Sequence, residues 1–172
     1  MSLVDGRVLD AWGADRAAAL GAMSLEGGNI IRDRVEKYEI GCDLKPGNFL
    51  AAFNARQMHE METTKLVWEG HGHRGLEMVE RAALGRIVGS DRYVGGMIDH
   101  LGGHLHPLNL VLGEAAALEA LGGRIFEHSP AVAVETGPSP SVRTRHGQVR
   151  AKYVLVCGNA YLGKLLPEIS SK

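Results

Sequence analysis

Apolar residues recur at spacings of three and four from residue 5 to residue 38, as Val8, Trp12, Leu20 and Met23 and then Ile31, Val35 and Tyr38, with charges between them. That period predicts helix. Gly27-Gly28 marks a place where the helix would kink or break, and Ser24 followed by Gly27 is no capping box that would start a second one. After Gly41 the pattern shortens. Lys45-Pro46-Gly47 is a turn signal, and Asn48 to Phe53, with Phe49, Leu50 and Phe53, reads as a strand. Asn54 suits an N-cap for a helix over Ala55 to Glu69 carrying Met58, Met61, Leu66 and Trp68, which the glycines from Gly70 to Gly75 end. Met78-Val79 is a brief extended piece and Glu80 to Val88 a short helix. Tyr93 to Ile98 is a second strand, in which Gly95-Gly96 indicates a bulge or a backbone packed over by a neighbour. The first hundred residues thus predict an α+β lobe.

From His106 the signals sharpen. Pro107 fits the first helical position, and Leu108, Val111, Leu112, Ala115, Leu118 and Leu121 form one apolar face before Gly122 stops the helix. Arg124 to Glu127, Ala131 to Glu135 and Ser141 to Arg145 read as strands, and His146-Gly147 turns the chain into Val149 and Ala151. Tyr153 to Cys157 is apolar without alternation, as a strand covered on both faces must be. It demands neighbours. A helix leading to a buried strand that ends in Gly158-Asn159-Ala160 is how α/β proteins bring backbone to a cofactor at the carboxyl edge of a sheet.

Composition narrows the function classes. With 172 residues, 45% of them hydrophobic and 23% charged, the chain can bury one sizeable core or two small lobes. A net charge of -1 leaves no cationic excess for a nucleic acid or an anionic membrane, and no apolar run approaches a membrane span. The amino terminus lacks a secretory layout, so a cytoplasmic protein is expected. Cys42 and Cys157 stand far apart and in no metal-type spacing, which predicts reduced thiols filling small apolar sites. The 23 glycines, many in pairs, punctuate turns and close approaches.

His100, His104 and His106, with Asp99 beside them, are the densest set of potential ligands. Histidines at 104 and 106 of an extended strand point the same way, and three imidazoles with a carboxylate can hold zinc or iron. The plainer reading has glycines and a proline forming a tight helix entry, with the histidines capping it. His71 and His73, in a glycine-flanked loop, are expected to be solvated. There is no nucleophile elbow, Cys-x-x-Cys pair or phosphate loop. Cys157 is expected to be inert behind its apolar run. Backbone N–H groups of the Gly158-Asn159-Ala160 turn can meet a phosphate or a sugar.

The run GGHLHPLNLVLGEAAALEALGGRIFEHSPAVAVE, followed after a hairpin by VRAKYVLVCGNAYLGKLLPE, resembles the middle of FAD-dependent oxidoreductases of the D-amino-acid oxidase superfamily. IIRDRVEKYEIGCDLKPGNFLAAFN and LEMVERAALGRIVGSDRYVGGMID resemble the substrate-domain portion of the same family, with the gamma-glutamylputrescine oxidase subgroup the nearest. The resemblance implies an α+β substrate-domain lobe over residues 1–103, joined to a partial FAD-binding α/β domain with a β-meander over residues 104–172. It also implies FAD as cofactor, with Ala131 or Val132 passing the adenine and Cys157, Gly158 and Asn159 close to the flavin nucleotide. His104 and His106 are implied as substrate-cavity residues. Family members oxidise a C–N bond of an amine or amino acid by hydride transfer to the flavin and pass the electrons to oxygen. The GxGxxG turn that holds the pyrophosphate is not in this sequence, which implies an internal fragment that does not turn over alone. Two other classes stay open: a metal-binding module on His100, His104 and His106, and an interaction domain that self-associates through the strand edge at Tyr153 to Cys157.

Overall fold

The computed structural model describes residues 13–163 and 165–167, without the side chain of Ala160. The first part of the helical stretch expected over residues 5–38, with Val8 and Trp12, lies outside them. The chain forms two compact units, residues 1–121 and 122–172.

In the first unit, helix α1 (Ala14–Lys37) is followed by strand β1 (Lys45–Ala52), helix α2 (Ala55–Gly70) and strand β2 (Leu76–Glu80). A 3₁₀ turn (Arg81–Arg86), strand β3 (Gly95–His104) and helix α3 (Pro107–Ala120) complete it. The strands make an antiparallel sheet in the order β1-β3-β2. Its centre must be β3, because two neighbours lean on a strand that has given up side chains to receive them. A Cβ on Gly96 would stand 2.3 Å from the Leu50 carbonyl oxygen and 2.5 Å from the Phe49 ring, and one on Gly95 would stand 2.6 Å from Met58 Sδ. Of the two readings of this glycine pair, a bulge or a backbone packed over by a neighbour, the second is the one found. The register slips between Pro46 and Asn48, where Gly47 takes φ +84°, so the turn signal there appears as an irregularity inside β1.

The core of this unit is Trp68, Leu76 and Met97, with Leu20, Leu25, Met61 and Met78 against it. Asn54 caps α2: its side chain accepts the Gln57 N–H at 3.0 Å, while Gln57 returns its carbonyl oxygen to the Phe53 N–H at 2.7 Å. Gly27-Gly28 does not break α1, which runs through both glycines. Each costs about 1 kcal/mol against alanine, a penalty that docking can outweigh: Gly21, on the same helix, lies so close to His71 that a Cβ would meet its ring at 2.9 Å.

Helix α3 starts at Pro107 as expected, with His106 as N-cap and Gly122, at φ +87°, beyond its end. Its large apolar face is not buried. Leu108, Val111, Leu112, Leu118 and Leu121 are exposed, and the helix docks instead through its small residues. A Cβ on Gly113 would stand 2.3 Å from Ile40, and Ala117 is buried. Arg34 reaches Glu114 at 3.1 Å, and Asn109 donates to the Gly41 carbonyl at 3.1 Å.

The second unit is an antiparallel meander, β4 (Ala133–Glu135), β5 (Ser141–Arg143) and β6 (Gln148–Arg150), then a 3₁₀ turn (Asn159–Leu162). A buried Ser141 donates to Glu135 at 2.8 Å and accepts from Gln148 at 2.7 Å, tying the three strands at their closed end. Two expected strands do not form. Arg124–Glu127 has no strand partner among the described residues, and neither has Tyr153–Cys157. A ladder needs a second chain segment to exchange hydrogen bonds with, and an apolar run cannot supply its own. Overall this is the expected α+β class: a lobe of helices and short strands and a small meander-bearing unit.

Candidate functional site

Two places concentrate chemistry, and each is described within its own unit. The first is a cavity of about 370 Å³ lined by one face of α1, by Asn48, Trp68 and His73, and by Asp99, Leu101, Gly102 and Gly103 near the end of β3. The pairing of β2 with β3 sets Leu76 opposite Asp99 and so carries the preceding loop to the same spot. There His73, expected to be solvated, is buried. Its Nδ1 accepts the Gly75 N–H at 3.1 Å, so the ring proton sits on Nε2, which donates to Asp99 Oδ1 at 3.1 Å. The imidazole edge also meets the Trp68 ring, with centroids 6.3 Å apart.

Asp99 Oδ1 further accepts the N–H groups of Leu101 at 3.0 Å and Gly102 at 2.9 Å. The loop before β2 and β3 itself therefore meet on one carboxylate, while α2 reaches the His73 ring through Trp68 and α1 reaches the Leu101 carbonyl through Arg32 at 3.0 Å. Nothing local in the sequence separates His73 from His71; only the strand register could have found the pair.

The histidines proposed as metal ligands do not converge. His100 Nε2 faces Glu77 at 2.8 Å in an exposed pair, His104 Nδ1 lies 3.1 Å from the Gly47 carbonyl, and His106 Nδ1 accepts the Asn109 N–H at the start of α3. Asp99 serves His73 instead. Among the described residues no group of three or more His, Cys, Asp or Glu side chains could hold a metal ion. His104 and His106 do not line the 370 Å³ cavity, although Gly102 and Gly103 do.

The second place carries the residues expected near a cofactor. Val132 donates its N–H to the Arg143 carbonyl at 2.8 Å, which takes that donor out of play, whereas the Ala131 N–H has no acceptor among the described residues. The segment from Tyr153 to Cys157 makes no backbone hydrogen bond among the described residues and exposes Tyr153, Leu155 and Val156. It borders an apolar groove of about 560 Å³ with Val134, Pro140 and Leu166. Asn159 takes the left-handed conformation at φ +46°, which turns the chain away after Gly158. Free N–H groups along an extended run and its closing turn are a donor set suited to the ring nitrogens and phosphates of a dinucleotide, so the residues present fit FAD as far as they go. Both cysteines are free: Cys42 is buried as expected, but Cys157 is exposed, because the strand that would have enclosed it has no partner.

A family model for FAD-dependent oxidoreductases of the DAO type matches residues 2–172. The chain belongs to that family. FAD is therefore the cofactor of its relatives. Over 162 residues the chain is 47% identical to gamma-glutamylputrescine oxidoreductase of Escherichia coli, covering 94% of this chain and 38% of that protein. It is 41% identical to a probable oxidoreductase, OrdL, of Haemophilus influenzae, covering 89% of this chain and 36% of that one. The DAO-family segment described here thus spans under two-fifths of the length of these relatives.

Among solved structures, L-proline dehydrogenase from P. horikoshii superposes with a TM-score of 0.70 at 13% identity, over 86% of this chain and 40% of that one. Glycine oxidase from Geobacillus kaustophilus gives 0.65 at 16%, over 87% of this chain and 40% of that one. At these identities the likeness establishes the fold. No described helix is long and apolar enough to cross a membrane.

Proposed function

We infer that this chain works as the middle portion of an FAD-dependent oxidoreductase that oxidises a C–N bond of a small amine or amino acid, a gamma-glutamylputrescine-like compound above all. The observation that carries the reading is 47% identity to the E. coli gamma-glutamylputrescine oxidoreductase across 94% of the chain. Residues 1–103 contribute to the substrate-binding domain and residues 104–172 to the FAD-binding domain. Bound flavin supplies the hydride acceptor.

The chain's own part is to bind and to orient. The Ala131 N–H is the donor left for the adenine, since the Val132 N–H is spent on Arg143; Val132 takes part through its carbonyl. The extended backbone ending at Cys157, Gly158 and Asn159 passes the nucleotide. His104, held on the Gly47 carbonyl, and His106, at the N-terminus of α3, fix the passage from sheet to helix beside the substrate. The missing GxGxxG turn supports the further reading that the 172-residue chain neither retains FAD nor turns over alone.

A chimera tests this. The matching segment of the E. coli relative is replaced by this chain, and flavin content and oxygen uptake with gamma-glutamylputrescine are measured. The expected result is a yellow protein that consumes oxygen. A folded, flavin-loaded chimera inert towards every amine offered would refute the assignment, and turnover by the 172-residue chain itself would refute the clause on inactivity.

A further inference from the structure

The cavity beside Trp68 has no part in the roles assigned above. Its walls carry a cation and an anion, Arg32 and Asp99, that do not neutralise each other. Arg32 is anchored by the Leu101 carbonyl at 3.0 Å and by Asn29 Oδ1 at 2.8 Å. That leaves three of the five guanidinium N–H groups. Asp99 meets all of its described partners through Oδ1. Its Oδ2 has no partner among the described residues, and since no buried side-chain oxygen there goes unpaired, Oδ2 is open to solvent. Two opposite charges are thus pinned in the cavity wall, each with hydrogen-bonding capacity to spare. Pinning matters, because an ion that is already oriented loses less freedom when a ligand arrives.

We propose that this cavity takes the zwitterionic head group of an α-amino acid, its carboxylate on Arg32 and its ammonium on Asp99 Oδ2. The inference rests on the gamma-glutamyl amine reading given above. Such a substrate carries an α-amino-acid head at one end and the amine to be oxidised at the other, so the cavity would be what selects the gamma-glutamyl end. The volume of about 370 Å³ lies in the range of small-molecule sites. Charge-assisted bonds to both groups would discriminate against compounds lacking either one.

The test needs no flavin. The ¹⁵N-labelled chain is titrated with L-glutamine as probe, following the Trp68 indole and the Gly102 and Gly103 amides. Glutaramic acid, which lacks the ammonium, and 4-aminobutanamide, which lacks the carboxylate, are run beside it. Saturable shifts with L-glutamine are expected, about tenfold weaker or worse with either truncated probe and with Arg32→Gln, and partly recovered in Arg32→Lys. Arg32 is exposed, so its variants should keep a dispersed spectrum. Asp99→Asn, which keeps an acceptor at Oδ1, adds a second arm; should it misfold, the probes and the Arg32 variants still decide. No saturable shift, or equal shifts for all three probes, would overturn the proposal. Glutamine binding alongside an inert chimera would sink the oxidase reading alone, and an active chimera without glutamine binding would sink this one alone.

Discussion

Replacing Asp99 by alanine should be among the most damaging single changes in the first unit, and its size can be worked out. The carboxylate accepts three hydrogen bonds on Oδ1, from His73 and from the N–H groups of Leu101 and Gly102. Bonds to a charged acceptor contribute about 1.5–3 kcal/mol each. The Leu101 N–H lies where water can replace the lost partner, so its share should be discounted. His73 cannot be rescued in this way: its side chain is 5% exposed, against 13% for Asp99. An orphaned Nε2–H there costs about 1–3 kcal/mol. The Gly102 bond and the orphaned His73 donor together come to about 3–6 kcal/mol, a large part of the roughly 5–15 kcal/mol that holds a domain together.

In urea, with a slope of about 2 kcal/mol per molar, the midpoint would fall by about 2 M. Trp68 fluorescence reports the transition, in a Trp12→Phe background. Asp99→Asn, which keeps the acceptor and loses the charge, should cost about 1–2 kcal/mol. The cycle Asp99→Ala, His73→Ala and the double variant should show about 2 kcal/mol of coupling. Strict additivity, or an Asp99→Ala midpoint within experimental error of the parent, would refute the account.

Other expectations follow from single contacts. Gly96→Ala should lower stability by about 1–3 kcal/mol or abolish folding, because its Cβ meets the Leu50 carbonyl, which cannot step aside as a side chain could; circular dichroism melts would show it. Asn54→Ala should cost about 1 kcal/mol through loss of the Gln57 N–H cap, read by the same melts, with Asn54→Ser close to neutral. Under native conditions an alkylating reagent should label exposed Cys157 well before buried Cys42, with the two rates converging in denaturant; equal native rates would contradict the burial assigned here. The unpaired run from Tyr153 to Cys157 should make the chain self-associate with concentration, and Leu155→Lys should reduce that in light scattering. A clean monomer at all concentrations would count against it.

What the sequence made legible was whatever depends on neighbours along the chain. The Asn54 cap and Pro107 at the head of α3 are short-range signals, and each is found where its chemistry placed it. What failed needed partners from elsewhere. Tyr153–Cys157 has the composition of an enclosed strand, but enclosure comes from other segments and the described residues offer none. His73 looked like a loop histidine until the β2–β3 register brought Asp99 to it. The same long-range pairing built the cavity, so Arg32, one charge among many along α1, gave no local sign of its place there.

Helix α3 sets Gly113 against Ile40 and buries Ala117, and it and its C-cap Leu121 leave five large side chains exposed. Fully burying such a side chain contributes about 1.5–3 kcal/mol; with these 47–71% exposed, covering the remainder of all five would still come to the same order as the net stability of an ordinary domain. Much of the folding free energy written into this helix is therefore latent in the structure described. Whatever comes to lie on that face would act less as a ligand than as a further layer of the core, and covering it should raise the melting temperature.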